Sequence, residues 1–233
     1  MKPSLLLLHG AIGAATQLQP LAAQLAAHYE VHLPEFPGHG GAPLPEQRFS
    51  IALFAEATLQ YIRQHKLKEV TIFGYSMGGY VALYLARQYP DLISRVITLG
   101  TKFHWDETTA AREVKMLDAD IIVQKVPAFA DNLARLHAPN DWKTVLQRTA
   151  EMLLAMGKDN PLKPDEYKEI STPALIMLGD RDKMVTLEET VVAYRGIPGA
   201  RMAVLPGTPH PIEQVNISLL TYFLQPAGML TDV

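Results

Sequence analysis

Short apolar runs of strand length alternate with stretches whose apolar residues recur every three or four positions along most of the 233-residue chain. Strands covered on both faces read as solid apolar runs, so this alternation predicts parallel strands joined by helical crossovers. Ser4 to Leu8 is the first predicted strand. Residues 15 to 27, with Leu18, Leu21, Ala22 and Leu25 on one face, form the first helix, and Val31 to Leu33 begins a second strand. A Pro- and Gly-rich stretch from Pro34 to Pro45 reads as a long loop. Helix Ile51 to Gln64, strand Val70 to Phe73, a helix from Gly78 to Tyr89 stopped by Pro90, and strand Ile93 to Leu99 follow.

The period then breaks. From Thr101 to Tyr167 the pattern predicts no strand, only helices around Thr108 to Leu117, Ala128 to Leu136 and Trp142 to Met156. Residues 101–167 therefore read as an inserted helical cap that divides a core made of residues 1–100 and 168–233. Alternation resumes with strand Ala174 to Leu178, helix Glu188 to Tyr194, strand Arg201 to Leu205 and helix Glu213 to Phe223. The tail after Pro226 is expected to be loose.

Composition narrows the chemistry. The chain has no cysteine, which excludes disulfides, thiolate metal sites and a thiol nucleophile. Its 21 Lys and Arg against 24 Asp and Glu are dispersed, so there is no basic footprint and no nucleic-acid partner is expected. The longest aliphatic run, Leu5 to Leu8, is far short of the roughly 20 residues of a spanning helix. No membrane segment and no signal peptide is expected, and a cytoplasmic location is the default. The absence of HExxH or clustered ligands predicts neither a metal nor a cofactor, and leaves a small-molecule substrate as the expected partner.

Gly74-Tyr75-Ser76-Met77-Gly78 fits GxSxG, with a predicted strand immediately before it and a helix immediately after. A strand that turns abruptly into a helix brings two backbones too close for a Cβ, hence the glycines on either side of the serine. Ser76 is the candidate nucleophile, at a helix start whose N–H groups and dipole favour an anion. His9-Gly10-Ala11 follows the first strand, where a second oxyanion donor is expected. The donors would be the backbone N–H groups of Ala11, with Ile12 as the alternative, and Met77. His9 itself reads as a structural histidine. Gly179-Asp180-Arg181-Asp182 closes a strand at the carboxyl edge, where ligands collect in open sheets. His210, between Pro209 and Pro211, sits in a stiff loop suited to a general base. The order Ser76, Asp182, His210 is that of nucleophile-elbow hydrolases.

These residues, together with Phe36-Pro37-Gly38-His39-Gly40, make the sequence resemble the α/β-hydrolase superfamily, in its branch of small esterases, carbon-carbon bond hydrolases and related lyases. The resemblance covers residues 4–100 and 172–225. It implies a mostly parallel sheet of six strands flanked by helices. It also implies that the acid is Asp182 rather than Asp180, with Asp106 as the fallback. Two features depart from the pattern: the usual antiparallel strand pair ahead of the His-Gly strand is absent, and Glu35 stands where the family usually has Asp. The implied activity is hydrolysis of a small carboxylic ester through an acyl-enzyme. Carbon-carbon bond cleavage on the same triad is the alternative, and a non-catalytic ligand sensor is the reading from another class. For the pocket, Phe103, Trp105, Phe129, Trp142 and Met152 are the candidates, with Met116 and Met156 beside them, although most large apolar residues of a cap pack among themselves. Lys102, His104 and Arg112 are candidates to meet a substrate carboxylate.

Overall fold

The computed structural model describes residues 2–225; the tail after Pro226 lies outside the described residues. Six strands, β1 (Ser4–Leu8), β2 (Glu30–His32), β3 (Val70–Tyr75), β4 (Ile93–Leu99), β5 (Ala174–Gly179) and β6 (Arg201–Leu205), form one sheet in the order β2-β1-β3-β4-β5-β6. Every pairing is parallel, and among the described residues no strand precedes β1. Successive side chains of a strand point to opposite faces. Leu6, Leu8, Ile72, Val96 and Ile176 accordingly enter one hydrophobic core, and Leu5, Leu7, Phe73, Ile97 and Met177 enter the other. Two covered faces are the physical reason for the unbroken apolar runs.

Helices α1 (Gln19–Leu25), α2 (Ile51–Gln64) and α3 (Met77–Gln88) are the first three crossovers. Leu21 and Leu25 of α1 pack on the second core, while Phe54, Leu59, Val81 and Leu85 of α2 and α3 fill the first. α2 starts at Ser50, whose hydroxyl accepts the Leu53 N–H at 3.1 Å and so satisfies one orphan donor. Between β4 and β5 the described structure is helical: α4 (Glu107–Val114), α5 (Ala119–Lys125), α6 (Pro127–His137) and α7 (Trp142–Lys158), with short 3-10 turns. This segment is not a separate body. Val145, Met152 and Met156 of α7 belong to the same core as α2 and α3. α8 (Leu187–Gly196) and α9 (Ile217–Leu224) complete the flanks.

Several boundaries differ from the sequence pattern, each for a local reason. The first predicted helix opens as a 3-10 turn over Ala15–Leu18, with α1 beginning beside Pro20, a residue suited to a first helical turn. The last is likewise split. Residues 212–214 form a 3-10 turn, and Asn216 ends the break by accepting the Leu219 N–H at 3.0 Å as the N-cap of α9. α5 went unpredicted because Ile121, Ile122 and Val123 read as a short β-branched run. The Asp118 side chain caps it by accepting the N–H groups of Asp120 and Ile121 at 3.0 Å.

β1 is flanked by β2 on one side and β3 on the other, so the chain reverses its winding between β1 and β3. The crevice that a reversal opens at the carboxyl edge is the usual ligand position in such sheets. At this edge the packing leaves no slack: a Cβ on Gly78 would strike the Leu8 and His9 carbonyls at the end of β1. Gly78→Ala is expected to lower stability by about 1–3 kcal/mol, as overpacking against rigid backbone does. Urea denaturation would read this as a lower midpoint, and an unchanged midpoint would contradict the packing.

Candidate active site

Ser76 lies between β3 and α3 with φ 52° and ψ −119°, a left-handed backbone that a residue with a Cβ rarely adopts. Such strain costs on the order of 1–3 kcal/mol and persists only where the surroundings impose it. Here the surroundings are explicit. The Ser76 N–H donates to the Leu99 carbonyl of β4 at 2.9 Å, and its own carbonyl accepts the Thr101 hydroxyl at 3.0 Å. A Cβ on Gly74 would run into the backbone of Gly78 and Gly79.

The His210 ring reaches the same edge from the loop after β6, with Nδ1 2.7 Å from Asp182 Oδ2. Asp182 follows β5 at a turn in which its N–H donates to the Gly179 carbonyl. Its second oxygen, Oδ1, accepts the N–H groups of Met184 at 2.8 Å and Val185 at 2.9 Å. Burial works against ionisation of Asp182. The His210 hydrogen bond and charge, with the Val185 and Met184 N–H groups, outweigh it and hold the carboxyl below its usual range. Asp180 is an exposed loop residue that accepts the Thr208 N–H at 3.0 Å, tying the β5 and β6 loops together. Asp106 is remote from this arrangement. It caps α4 by accepting the Thr109 N–H at 2.7 Å and lies 3.2 Å from His104.

One contact had no sequence signal. The Tyr75 hydroxyl donates to the His210 carbonyl at 3.0 Å, so the residue beside Ser76 also anchors the loop that carries His210. Tyrosine at the variable position of GxSxG reads from sequence as strand filling.

Two connected cavities meet at Ser76 and His210, and Ala11, Glu113, Leu153 and Met184 line both. The narrower, about 520 Å³ including its open mouth, is walled by Ile51, Met77, Tyr80, Trp105, Met152 and Met156. The wider, about 1160 Å³ including its open mouth, runs under α6 past Ile12, Met116, Phe129 and Leu133. Of the expected pocket residues, Trp105 and Met152 thus line the narrow cavity and Phe129 the wide one. Phe103 does not line either: it is buried in the core edge-on to Tyr167, with ring centres 6.2 Å apart. Trp142 does not line them either. It starts α7 and packs on a small cluster formed by Ile122, Ala130, Leu133 and Leu146. Ala11 and Met77, the expected oxyanion donors, both face the narrow cavity beside Ser76. Among the described residues no group of three or more His, Asp or Glu is placed to hold a metal ion, and no helix is long and apolar enough to cross a membrane.

Beneath the Ala11 loop lies a set of buried histidines. His9 sets Nδ1 2.8 Å from the Gly10 carbonyl and Nε2 2.9 Å from Glu35 Oε1. Glu35 also accepts the Ala15 N–H at 3.0 Å, so the longer acid in place of Asp joins the β1 and β2 loops. His137, at the end of α6, accepts the Gly40 N–H on Nδ1 at 3.2 Å and faces the Ile12 carbonyl with Nε2 at 3.0 Å. One neutral tautomer, protonated on Nε2, satisfies both contacts. Thereby α6 holds the loop that carries Ala11. His39 is fully buried, with Nδ1 3.1 Å from the Pro37 carbonyl and Nε2 without a partner.

A family model for the alpha/beta hydrolase fold matches residues 3–151. The chain belongs to the alpha/beta hydrolase family. A 2-(acetamidomethylene)succinate hydrolase of Mesorhizobium japonicum is 24% identical over 92% of this chain and 84% of its own length. A pimeloyl-[acyl-carrier protein] methyl ester esterase of Neisseria meningitidis is 27% identical over 88% of this chain and 85% of its own. An uncharacterized protein of Mycobacterium tuberculosis shares 35% over 98 residues, and this chain spans only 29% of that relative's length. The solved enol-lactonase of Burkholderia xenovorans superposes with a TM-score of 0.76 at 21% identity, over 96% of this chain and 90% of that one.

Burial, and then the neighbouring His9, push the imidazoles of His39 and His137 below the ordinary histidine value of 6.5. In the unfolded chain both would take up a proton near 6.5, so between that pH and the lower native values the unfolded state binds more protons. Their contribution to stability is complete above pH 6.5 and declines as the pH falls below it. Melting temperature should therefore drop from pH 7.5 to 5.5, with a shallower slope in His137→Gln, whose amide keeps one donor and one acceptor. Parallel slopes would contradict the buried neutral assignment.

Proposed function

We propose that the protein hydrolyses a small carboxylic ester by covalent acyl transfer, with Ser76 as nucleophile, His210 as general base and Asp182 as the group that orients the imidazole. The observation that carries this reading is the pairing of a strained, cavity-facing Ser76 with a His210 already held at Nδ1 by a buried carboxylate. With Asp182 accepting from Nδ1–H, His210 keeps its Nε2 lone pair free for the Ser76 proton. The serine oxygen then adds to the carbonyl. Negative charge grows on the carbonyl oxygen, and the Ala11 and Met77 N–H groups meet it; each such donor is worth about 3 kcal/mol in comparable sites.

Collapse of that intermediate sends the alcohol away with the proton from His210 and leaves an acyl group on Ser76. Water repeats the sequence, with His210 again taking the proton, and regenerates the serine. The helical segment between β4 and β5 serves as the cap that sets substrate size, since its α4 and α7 side chains wall the cavities. The methyl ester esterase among the relatives supports an ester as the substrate class.

Turnover of p-nitrophenyl acetate is expected to fall by about 10⁴-fold or more in Ser76→Ala, and by a comparable factor in Asp182→Asn, which presents the wrong tautomer to the base. Tyr75→Phe releases the His210 carbonyl and should lower kcat several-fold while leaving KM nearly unchanged. Full turnover by Ser76→Ala would overturn the reading. A panel of short to long acyl esters, run beside a vinylogous diketone, separates ester from carbon-carbon bond cleavage.

A further inference from the structure

Of the three basic residues near the cavities, His104 and Arg112 lie on a solvated face, the account the sequence favours, and Lys102 is largely buried. Lys102 is only 10% exposed at its side chain and is already engaged: Nζ lies 3.4 Å from Glu113 Oε1 and 3.6 Å from Glu189 Oε1, and it donates to the Met184 carbonyl. Glu189 is saturated by the N–H groups of Phe103, His104 and Thr186, at 3.1, 2.9 and 2.8 Å. His104 and Arg112 have side chains that are 64% and 66% exposed, and neither lines the cavities at Ser76. Among the described residues lining the two cavities, no Lys or Arg is left unpaired to receive a substrate carboxylate.

Glu113 is the reverse case. Its side chain is 6% exposed, it projects from α4 into the wall shared by both cavities, and all its recorded contacts, from Lys102 and Arg112, fall on Oε1. Among the described residues Oε2 has no hydrogen-bond partner. In the wide cavity the lining includes Glu113 and Glu213 and no Lys or Arg. Oε2 is not among the fully buried unpartnered atoms and so opens onto the cavity, where it favours a ligand that donates to it over one that repels it.

We infer that the wide cavity takes the part of the substrate that carries a hydrogen-bond donor, best a protonated nitrogen, which Glu113 Oε2 receives, and that it rejects a second carboxylate. This rests on the acyl-transfer reading, whose substrate class it narrows. It also sets this chain apart from the relative that acts on a succinate derivative. Glu113 is then a specificity residue, one helix away from the reacting atoms.

The test uses two series of esters of matched size on the full chain at pH 7. In the first the alcohol carries the variation: 2-(dimethylamino)ethyl, 3-methylbutyl and 2-carboxyethyl acetates. In the second the acyl group carries it: methyl 4-(dimethylamino)butanoate, methyl 5-methylhexanoate and monomethyl glutarate. In the series whose variable end fills the wide cavity, kcat/KM should fall in the order cationic, neutral, anionic, with at least tenfold between the extremes. Glu113→Gln should compress that ratio and raise the anionic ester, since Lys102 loses its closest carboxylate. Binding of the same uncleaved esters to Ser76→Ala, measured by calorimetry, should show the same order of Kd. It reads the preference without turnover and does not depend on whether Glu113→Gln folds. Equal or tighter binding of the anionic ester in both series would overturn the inference. Failure of the wild type to cleave the neutral esters would instead overturn the hydrolase reading alone.

Discussion

The backbone turn at Ser76 is the constraint on which the rest of the site depends. With φ at 52° the chain leaves β3 and enters α3 without a connecting loop, which holds the hydroxyl clear of the sheet and directs the first N–H groups of α3 toward the same space. That conformation is unfavourable alone and is held by its neighbours. β4 receives the Ser76 N–H, Thr101 donates to its carbonyl, and β1 passes so close that Gly78 has no room for a side chain. Tyr75 then extends the constraint to the loop of His210. The same few residues thus fix the positions of Ser76, of the His210 loop and of the end of β1 from which the Ala11 loop departs. A small shift in any of them moves all three together.

Around this turn the polar groups fall into two kinds. Beneath the Ala11 loop, His137 bridges Gly40 and Ile12 and Glu35 bridges His9 and Ala15, while His39 Nε2 has no partner among the described residues. Their work is positional, and it connects α6 to the loop beside Ser76. Those at the cavity wall are matched on one side only, as at Glu113, and an unmatched acceptor in a largely apolar lining is where selectivity can arise. The helical segment therefore does two things at once. It braces the loop that carries Ala11 and presents the wall that a substrate meets.

Much of this was legible in the residues. β1, β4 and β6 fall where the apolar runs place them, and Leu5 to Leu8 of β1 are fully buried, as in a strand covered on both faces. The strand-glycine-serine-glycine-helix order pointed to Ser76; the residues alone left Asp180 and Asp182 open, and it was the family resemblance that implied Asp182, which meets His210, over Asp180, which ties two loops. The helical segment was less legible. Periodicity tells that a face is apolar, not which neighbour covers it, so Phe103 and Trp142 looked as eligible for the pocket as Trp105 and Met152. Glu113, one of two acids on α4, carries no signal in the sequence; only the packing of that helix against α7 and the approach of Lys102 make it an interior group. Tyr75 and His137 were silent for a related reason, since each acts through a backbone carbonyl more than a hundred residues away.

The chain belongs to the alpha/beta hydrolase family, and the central claim of the proposed function is that the Ser76 oxygen carries the acyl group. Peptide mass spectrometry after treatment with a fluorophosphonate tests this most directly. The account predicts a single phosphonyl adduct on the peptide containing Ser76, formed rapidly in the native chain and slowed by orders of magnitude in His210→Ala. An adduct on another residue with Ser76 unmodified, or labelling of Ser76 at the same rate without His210, would contradict it.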